Sequence, residues 1–243
     1  MLKLHVDASN VQRDELKGVP TPLPTPTWQP VSHEAFDSLV RASLAQTGIK
    51  ITQSYYGLSQ PTEEGYRHRF FAVLETEDKI LDGQVGLTIG LRNSTDQSMS
   101  AGLVYGNRVF VCDNMAFTGE YVIRRKHTAR ILDDLPAIID QGVGQYFEQA
   151  ERQRILIERL QNQPLTDQEA YHAMVNAAAR GIIPYSGIKA VRQEWHEPGQ
   201  AVFSTRTSWS LYNSFTEVLK RYIPEATAER TLRLTGFFQH LLN

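Results

Sequence analysis

The stretch Val85-Gly86-Leu87-Thr88-Ile89-Gly90-Leu91 decides the fold of this chain. Its large apolar residues alternate with small or polar ones, so every second side chain falls on the same face of an extended strand. This alternation is typical of a β-strand that turns one face to a core. The sequence therefore predicts a strand over residues 85–91.

Short β-rich runs, separated by turn residues, lie on both sides of this strand. They predict strands over residues 49–58, 69–74, 103–105, 108–112 and 121–124. Gly106-Asn107 stands between two of these runs and is typical of a hairpin turn. The segment from about residue 49 to residue 126 is therefore predicted to form an antiparallel β-meander.

The N-terminal residues 1–32 contain five prolines between Pro20 and Pro30, and alternating proline favours extended backbone over helix. We expect this segment to be a Pro-rich strap without regular structure, held on the surface by Trp28. Ser32 is a good N-cap for a helix that ends at Gly48.

After Thr128 the chain has helical periodicity, with helices predicted from about Asp134 to Leu160, from Thr166, and over 186–195, 208–222 and 225–242. The order of elements predicts an α+β fold. It consists of an N-terminal Pro-rich strap and helix, an antiparallel β-meander, and C-terminal helices packed on the sheet. We expect a strap over 1–32 and a single α+β domain over 33–243, with its sheet at about 49–126 and its helical part at about 128–242.

Composition excludes several classes of protein. The chain has 243 residues, is 41% hydrophobic and 21% charged, and has a single cysteine. It is therefore not a disordered chain, and it has neither an intramolecular disulfide nor a Cys-rich zinc site. We expect a cytoplasmic protein without a membrane partner, because no secretory signal and no apolar run of about 20 residues is found.

The overall charge is almost balanced, with 25 Lys and Arg against 27 Asp and Glu. That balance gives no general attraction to nucleic acid. However, residues 85–130 hold six basic side chains against three acidic ones, and this excess is consistent with a phosphate-binding face. The alternative is that Arg124-Arg125-Lys126 is simply the solvent-exposed end of a strand.

Four polar clusters carry the candidate sites, at residues 92–96, 106–114, 124–128 and 209–217. For nucleic-acid binding we select Arg92, Asn93, Arg108, Arg124, Arg125, Lys126 and His127. A second candidate polar site consists of Asp96, Asp113, Asn114, Asn213 and Glu217. Turns, helix caps and a buried aromatic helix face are the structural alternatives for the same clusters.

Metal-ligating residues and the single cysteine offer two further kinds of chemistry. A metal-dependent nuclease would use Asp96, Asp113 and Glu120, whose carboxylates are the oxygen ligands that Mg²⁺ takes, with His127 as a further candidate. No metal or other cofactor is expected outside that alternative. Cys112 follows three apolar residues, so a buried thiol is favoured over a nucleophile.

Taken together, the segments GLRNSTDQS (90–98), GNRVFVCDNMAFTGE (106–120), RRKHT (124–128) and SWSLYNSFTE (208–217) resemble a known family. It is the uncharacterised bacterial, phage- and plasmid-like domain of unknown function 932. VPTPLPTPTWQPVSHEAF (19–36) fits the same family. The chain departs from the family's first motif at Thr95 and Gln97, where the family has His and Lys. The resemblance implies that the four clusters belong together and that the setting is a mobile genetic element.

Three functions are consistent with the sequence. The first is a mobile-element accessory protein that binds single-stranded nucleic acid in an annealing role, since the order of elements resembles that of single-strand annealing proteins. The second is a protein-binding anti-defence or assembly factor, with the segment 134–160 as its interface and a homo-oligomer as its form. The third is a metal-dependent nuclease or phosphodiesterase.

Overall fold

The computed structural model describes residues 8–80, 85–109, 114–117, 122–220 and 224–241. Its strands are β1 (Ala8–Val11), β2 (Ile51–Ser59), β3 (Arg69–Ile80), β4 (Val85–Ser94), β5 (Ala101–Val109), β6 (Asn114–Phe117) and β7 (Ile123–Arg125). Its α-helices are α1 (His33–Gln46), α2 (Ile131–Gly144), α3 (Tyr146–Gln161), α4 (Asp167–Ala179), α5 (Ile188–His196), α6 (Ser208–Leu219) and α7 (Pro224–Leu241). This order confirms the predicted α+β class.

The described strands form one antiparallel sheet in the order β1-β2-β3-β4-β5-β6, and β7 pairs with β5 beyond the end of β6. From β1 to β6 each strand is the neighbour of the next one in the chain, so this part of the sheet is a meander, as predicted. The stretch that decides the fold is part of β4, which pairs with β3 on one side and β5 on the other.

One face of the sheet is covered by α1 and α2. Alternate residues of β3, represented by Phe70 and Leu74, point into a core that also contains Phe36 of α1 and Ile139 of α2. These side chains are at most 1% exposed. Burial of such large apolar groups contributes about 1.5–3 kcal/mol each and fixes which side of every strand faces the helices.

A second core belongs to the helical half of the chain. It is built from the end of α3 and from α4, α5, α6 and α7, and includes Trp195, Phe215 and Phe238. Val85, the first residue of β4, packs in this core, so the helical half meets the sheet where β4 begins. The last residue of β4, Ser94, lies nine residues away, which corresponds to about 30 Å of extended chain.

Helix ends agree with the residues that predict them. The Ser32 hydroxyl accepts a hydrogen bond from the Ala35 amide, and Gly48 has a left-handed φ of 78° after α1. Thr166 caps α4 in the same way, with Glu169 completing a capping box. The helix predicted up to Leu160 is in fact two helices, because the helix is interrupted at Gln145, between α2 and α3.

Two local predictions are wrong. Residues 8–18 were expected to lack regular structure, but they form β1, which pairs with β2, and a 3-10 turn over Arg13–Gly18. Gly106-Asn107 was expected to turn a hairpin, but it lies inside the continuous strand β5. There Gly106 is paired on both sides, with Thr88 of β4 and Phe117 of β6, so glycine occupies a strand interior.

Within the part of the chain that the structure describes, no helix is both long enough and apolar enough to cross a membrane.

Candidate nucleic-acid interface

A row of residues crosses four strands on the sheet face opposite α1 and α2. Phe71 of β3 is directly opposite Arg92 of β4, Arg92 is opposite Gly102 of β5, and Gly102 is opposite Arg124 of β7. Side chains that are directly opposite in an antiparallel pair lie on the same face. Phe71, Arg92, Gly102 and Arg124 therefore form one line, which we call the basic row.

Three of the four residues of the basic row are at least partly exposed. Phe71 and Arg92 are partly exposed and Arg124 is exposed, whereas Val73 and Val104 in the adjacent row are buried. Arg92 and Arg124 are two strand spacings apart, which is about 10 Å. Gly102 lies between them, is buried and has no side chain.

Arg69 adds a further positive charge beside the row. It lies two residues before Phe71 in β3, and therefore on the same face of the sheet. It pairs with Ser94, and its side chain is 45% exposed. Its Nε atom lies 3.8 Å from Oδ2 of Asp96, the acidic residue of the loop that joins β4 to β5. A pair this long and this exposed contributes little to stability, so Arg69 can exchange Asp96 for another anion at small cost.

The loop that carries Asp96 is held by its own hydrogen bonds. The Ser94 hydroxyl donates to the Met99 carbonyl and accepts from the Met99 amide, both at 2.9 Å. Asp96 Oδ1 accepts from the Ser98 amide at 2.9 Å. Burial raises the pKa of Asp96, but the hydrogen bonds from Ser98 and Ser94 and the Arg69 charge outweigh it and lower the pKa overall. Asp96 is thus a turn former that stays ionised.

The neighbours of Arg124 in the basic run behave differently from it. Arg125 is opposite Ala101, whose side chain is buried in the core under α2, so Arg125 points toward that helix. Its guanidinium donates to Asp134 of α2 at 2.6 Å and to Thr128 at 3.0 Å. Arg125 therefore forms a structural ion pair with Asp134 of α2. Lys126, by contrast, is exposed.

Asn93 and His127 are beneath the surface rather than on it. Asn93 is fully buried, and its Nδ2 donates to the Val31 carbonyl at 2.9 Å and to Nδ1 of His33 at 3.1 Å. His33 Nε2 donates to the Arg67 carbonyl at 2.8 Å, and its ring stacks on Phe70. The predicted role of Asn93 as a surface donor to a ligand does not fit this burial.

Both histidines of this buried group are held neutral. Desolvation lowers the pKa of His33 to about 4, although its hydrogen bond to the Arg67 carbonyl opposes the shift. Desolvation also lowers the pKa of His127, which is 7% exposed, although an interaction of its ring with the Gln29 backbone opposes the shift. His127 thus cannot serve as a phosphate-binding cation without leaving its site.

Comparison with known proteins identifies the family. The family model described as Domain of unknown function (DUF932) matches residues 24–235. The chain belongs to the DUF932 family. None of the curated proteins and none of the solved structures compared with the chain matches it. The match spans all four polar clusters, so the family predicted from the sequence is confirmed.

The four DUF932 clusters lie in at least two places. The clusters around Arg92 and Arg124 are at the far end of β4, whereas the cluster in α6 belongs to the helical core that meets the beginning of β4. Asn213 in α6 is buried and its Nδ2 donates to the Trp209 carbonyl at 2.8 Å, while Glu217 forms an ion pair with Lys220. Asn213 and Glu217 therefore form no common site with Asp96.

Five of the residues that the sequence singles out have little or no description in the structure. Arg108 lies in β5 opposite Gly86, and Asn114 begins β6 opposite Val109; only their backbone positions are described. Asp113 lies outside the described residues, as do Cys112 and Glu120. Within the described ranges, no three His, Cys, Asp or Glu side chains lie close enough to hold a metal ion together.

Sequence reasoning overlooked Phe71 and Arg69. Both are in the strand predicted over 69–74, and both have the parity that places them on the face opposite the core. The signal that identifies them is the alternation of Arg69 and Phe71 with the buried Phe70 and Ala72. Only the strand register shows that Phe71 lies next to Arg92 in this DUF932 chain.

Proposed function

We propose that this chain binds single-stranded nucleic acid along the basic row, as a mobile-element accessory protein with an annealing role. The observation that carries the proposal is the register that aligns Phe71, Arg92, Gly102 and Arg124 on one face. Arginines paired with an aromatic ring on a sheet surface are the groups that single-strand binding proteins use for phosphates and bases.

Each member of the row has a distinct part in the proposal. Arg92 and Arg124 contact successive parts of the phosphate backbone. Arg69, two residues before Phe71 on the same face, adds a further positive charge beside the basic row. Phe71 offers a partly exposed ring on which one base stacks, and Gly102 keeps the strand between the arginines free of side chains. Arg108 lies further along the same strand β5 as Gly102 and is the candidate for a longer track.

A single strand suits this arrangement better than a duplex. A base can stack on Phe71 only if one face of that base is free. In a duplex, the faces of the bases are already stacked on one another. Guanidinium contacts carry no sequence information, so we expect binding to depend weakly on sequence and strongly on salt.

The experiment measures binding of a fluorescent oligo(dT) by anisotropy at several salt concentrations. Phe71→Ala is expected to weaken binding by about 1–3 kcal/mol, which is about 5- to 150-fold in Kd, because a stacking surface is lost. Phe71→Tyr retains the ring and is expected to bind like the wild type. Arg152→Gln is the matched control, because Arg152 is an exposed arginine of α3 outside the sheet.

Two results would overturn the proposal. One is the absence of oligo(dT) binding at low salt by the folded wild-type chain. The other is equal binding by the wild type and Phe71→Ala, together with an Arg92→Gln, Arg124→Gln double variant that also binds unchanged. A preference for duplex over single strand would likewise contradict the stacking role of Phe71.

We propose protein binding as the second candidate, in the sense of an assembly factor that forms a homo-oligomer. Phe147 and Ile155 of α3 are 59% and 45% exposed, and large exposed apolar side chains favour a contact surface. Light scattering tests this candidate. A wild-type oligomer that becomes a monomer in the Phe147→Ser, Ile155→Ser variant supports it, and a wild-type monomer at high concentration contradicts it.

A further inference from the structure

The segment before α1, residues 25–32, lies against the end of the sheet and is called the lead-in segment. Trp28 forms an isolated β-bridge with Thr128, and the Gln29 amide donates to the His127 carbonyl at a long 3.4 Å. The Val31 carbonyl accepts the shorter bond, 2.9 Å, from Asn93 Nδ2 of β4. Asn93 is therefore the main polar anchor of the lead-in segment on the sheet.

The hydrogen bonds around His33 fix its protonation state. The Arg67 carbonyl can only accept, so His33 Nε2 carries the proton, and the bond is 2.8 Å. His33 Nδ1 is then the acceptor, and it receives the second hydrogen of the Asn93 amide at 3.1 Å. The same amide nitrogen thus serves Val31 and His33 at once, and it does so only while His33 is neutral.

The other end of the Asn93 side chain is unused. Asn93 is fully buried, and its Oδ1 has no hydrogen-bond partner in the described structure. A half-turn of the amide would present Oδ1 to His33 Nδ1 and satisfy it if that nitrogen carried a proton. The same half-turn would also present Oδ1 to the Val31 carbonyl, where two acceptors repel each other. The two orientations of Asn93 therefore exclude one another.

We propose that His33, Asn93 and the Val31 carbonyl form an acid-released latch. Protonation of His33 at Nδ1 reverses the Asn93 amide, and the lead-in segment then loses its anchor and leaves the sheet. This inference does not depend on nucleic-acid binding. It assigns a conformational role to Asn93 and His33, two of the buried polar residues near the basic row.

Charged and titratable groups on every neighbouring element bear on His33. His127 after β7 and His68 before β3 oppose its protonation, whereas Asp96 after β4 favours it. His127 is itself buried; the backbone of Gln29 in the lead-in segment favours its protonation, and Arg125 opposes it. Acidification thus favours protonation of both histidines. Of the two, His33 is the one that shares the Asn93 amide with the Val31 carbonyl.

The pH range follows from the two states of His33. Its pKa is about 4 in the closed state. Once the segment is released the pKa returns to about 6.5, so the open state binds the proton more tightly. Closure is therefore fully favoured above pH 6.5 and is lost as the pH falls toward 4. The ratio of open to closed molecules is expected to be about 30-fold higher at pH 5 than at pH 7.5.

The test is ¹⁹F NMR of the full chain labelled with 5-fluorotryptophan, which gives three signals, from Trp28, Trp195 and Trp209. Trp195 and Trp209 are buried in the helical core and are internal controls. We expect the Trp28 signal alone to move to its solvent-exposed position between pH 6.5 and 4. His33→Gln should abolish this transition, and His172→Gln, a change at an exposed histidine of α4, should leave it intact.

The wild-type titration alone can overturn the latch, whether or not His33→Gln folds. A Trp28 signal that does not move down to pH 4 contradicts it, and so does a simultaneous shift of all three signals. His127→Gln provides the remaining check. If that variant loses the transition while His33→Gln keeps it, the sensor is His127 and the latch through Asn93 is wrong.

Discussion

Asp37 is the residue whose loss we expect to cost the fold most among the charged groups. Its carboxylate in α1 is 1% exposed and accepts hydrogen bonds from Arg13 at 2.7 Å, Arg41 at 3.1 Å and the Tyr56 hydroxyl at 3.2 Å. These bonds join α1 to the 3-10 turn after β1 and to β2. One buried carboxylate thus connects three parts of the chain.

The cost of Asp37→Ala can be worked out from this geometry. A hydrogen bond to a charged group contributes about 1.5–3 kcal/mol. The guanidinium groups of Arg13 and Arg41 retain access to water, with side chains 44% and 24% exposed, so their loss of a partner costs less than in a dry site. We expect a loss of about 3 kcal/mol in the free energy of unfolding. For a chain of this size that is a fall in Tm of about 6–12 °C.

Urea denaturation followed by circular dichroism measures this loss. Asp14→Ala is the matched control, because Asp14 is 89% exposed and forms an ion pair with the exposed Lys17. Its free energy of unfolding should change by less than about 0.5 kcal/mol. If Asp37→Ala is as stable as Asp14→Ala, the buried carboxylate is not what joins α1 to β2.

Two further substitutions test the packing between the helices and the sheet. Gly142→Ala is expected to destabilise the chain by about 1–3 kcal/mol, because its Cβ would lie 2.7 Å from Ile123 Cγ1; thermal unfolding with no change in Tm would contradict this close approach. Tyr146→Phe removes the hydrogen bond that the Tyr146 hydroxyl donates to Asp78 at 2.9 Å and the one that it shares with the Thr76 hydroxyl at 2.6 Å, and should cost about 1–3 kcal/mol in urea denaturation. A stability equal to that of the wild type would show that these bonds contribute nothing.

The order of elements could be read from the sequence because periodicity and caps are local signals. Alternation over residues 85–91 predicted β4, and Ser32 and Thr166 predicted the starts of α1 and α4. β1 was not foreseen because four residues carry too little pattern to stand out. Gly106-Asn107 misled the prediction because a glycine inside a strand has the same sequence signature as a turn.

The candidate site was only partly predictable, and register is the reason. The sequence selected Arg92 and Arg124, but the pairing of each with Gly102 is a long-range property that no local pattern contains. It also selected Asn93 and His127 for the same surface. Residues next to each other in a strand point to opposite faces, so Arg92 and Asn93 cannot share one. The lead-in segment then buries Asn93, which local polarity does not reveal.

The salt dependence of single-strand binding tests the central claim most directly. For oligo(dT), the slope of log K against log salt should be shallower by about 1.4 in the Arg92→Gln, Arg124→Gln double variant than in the wild type, because two phosphate contacts are lost at about 0.7 each. Arg152→Gln should keep the wild-type slope. A double variant that stays folded and has the slope and affinity of the wild type would show that the basic row does not bind the phosphate backbone.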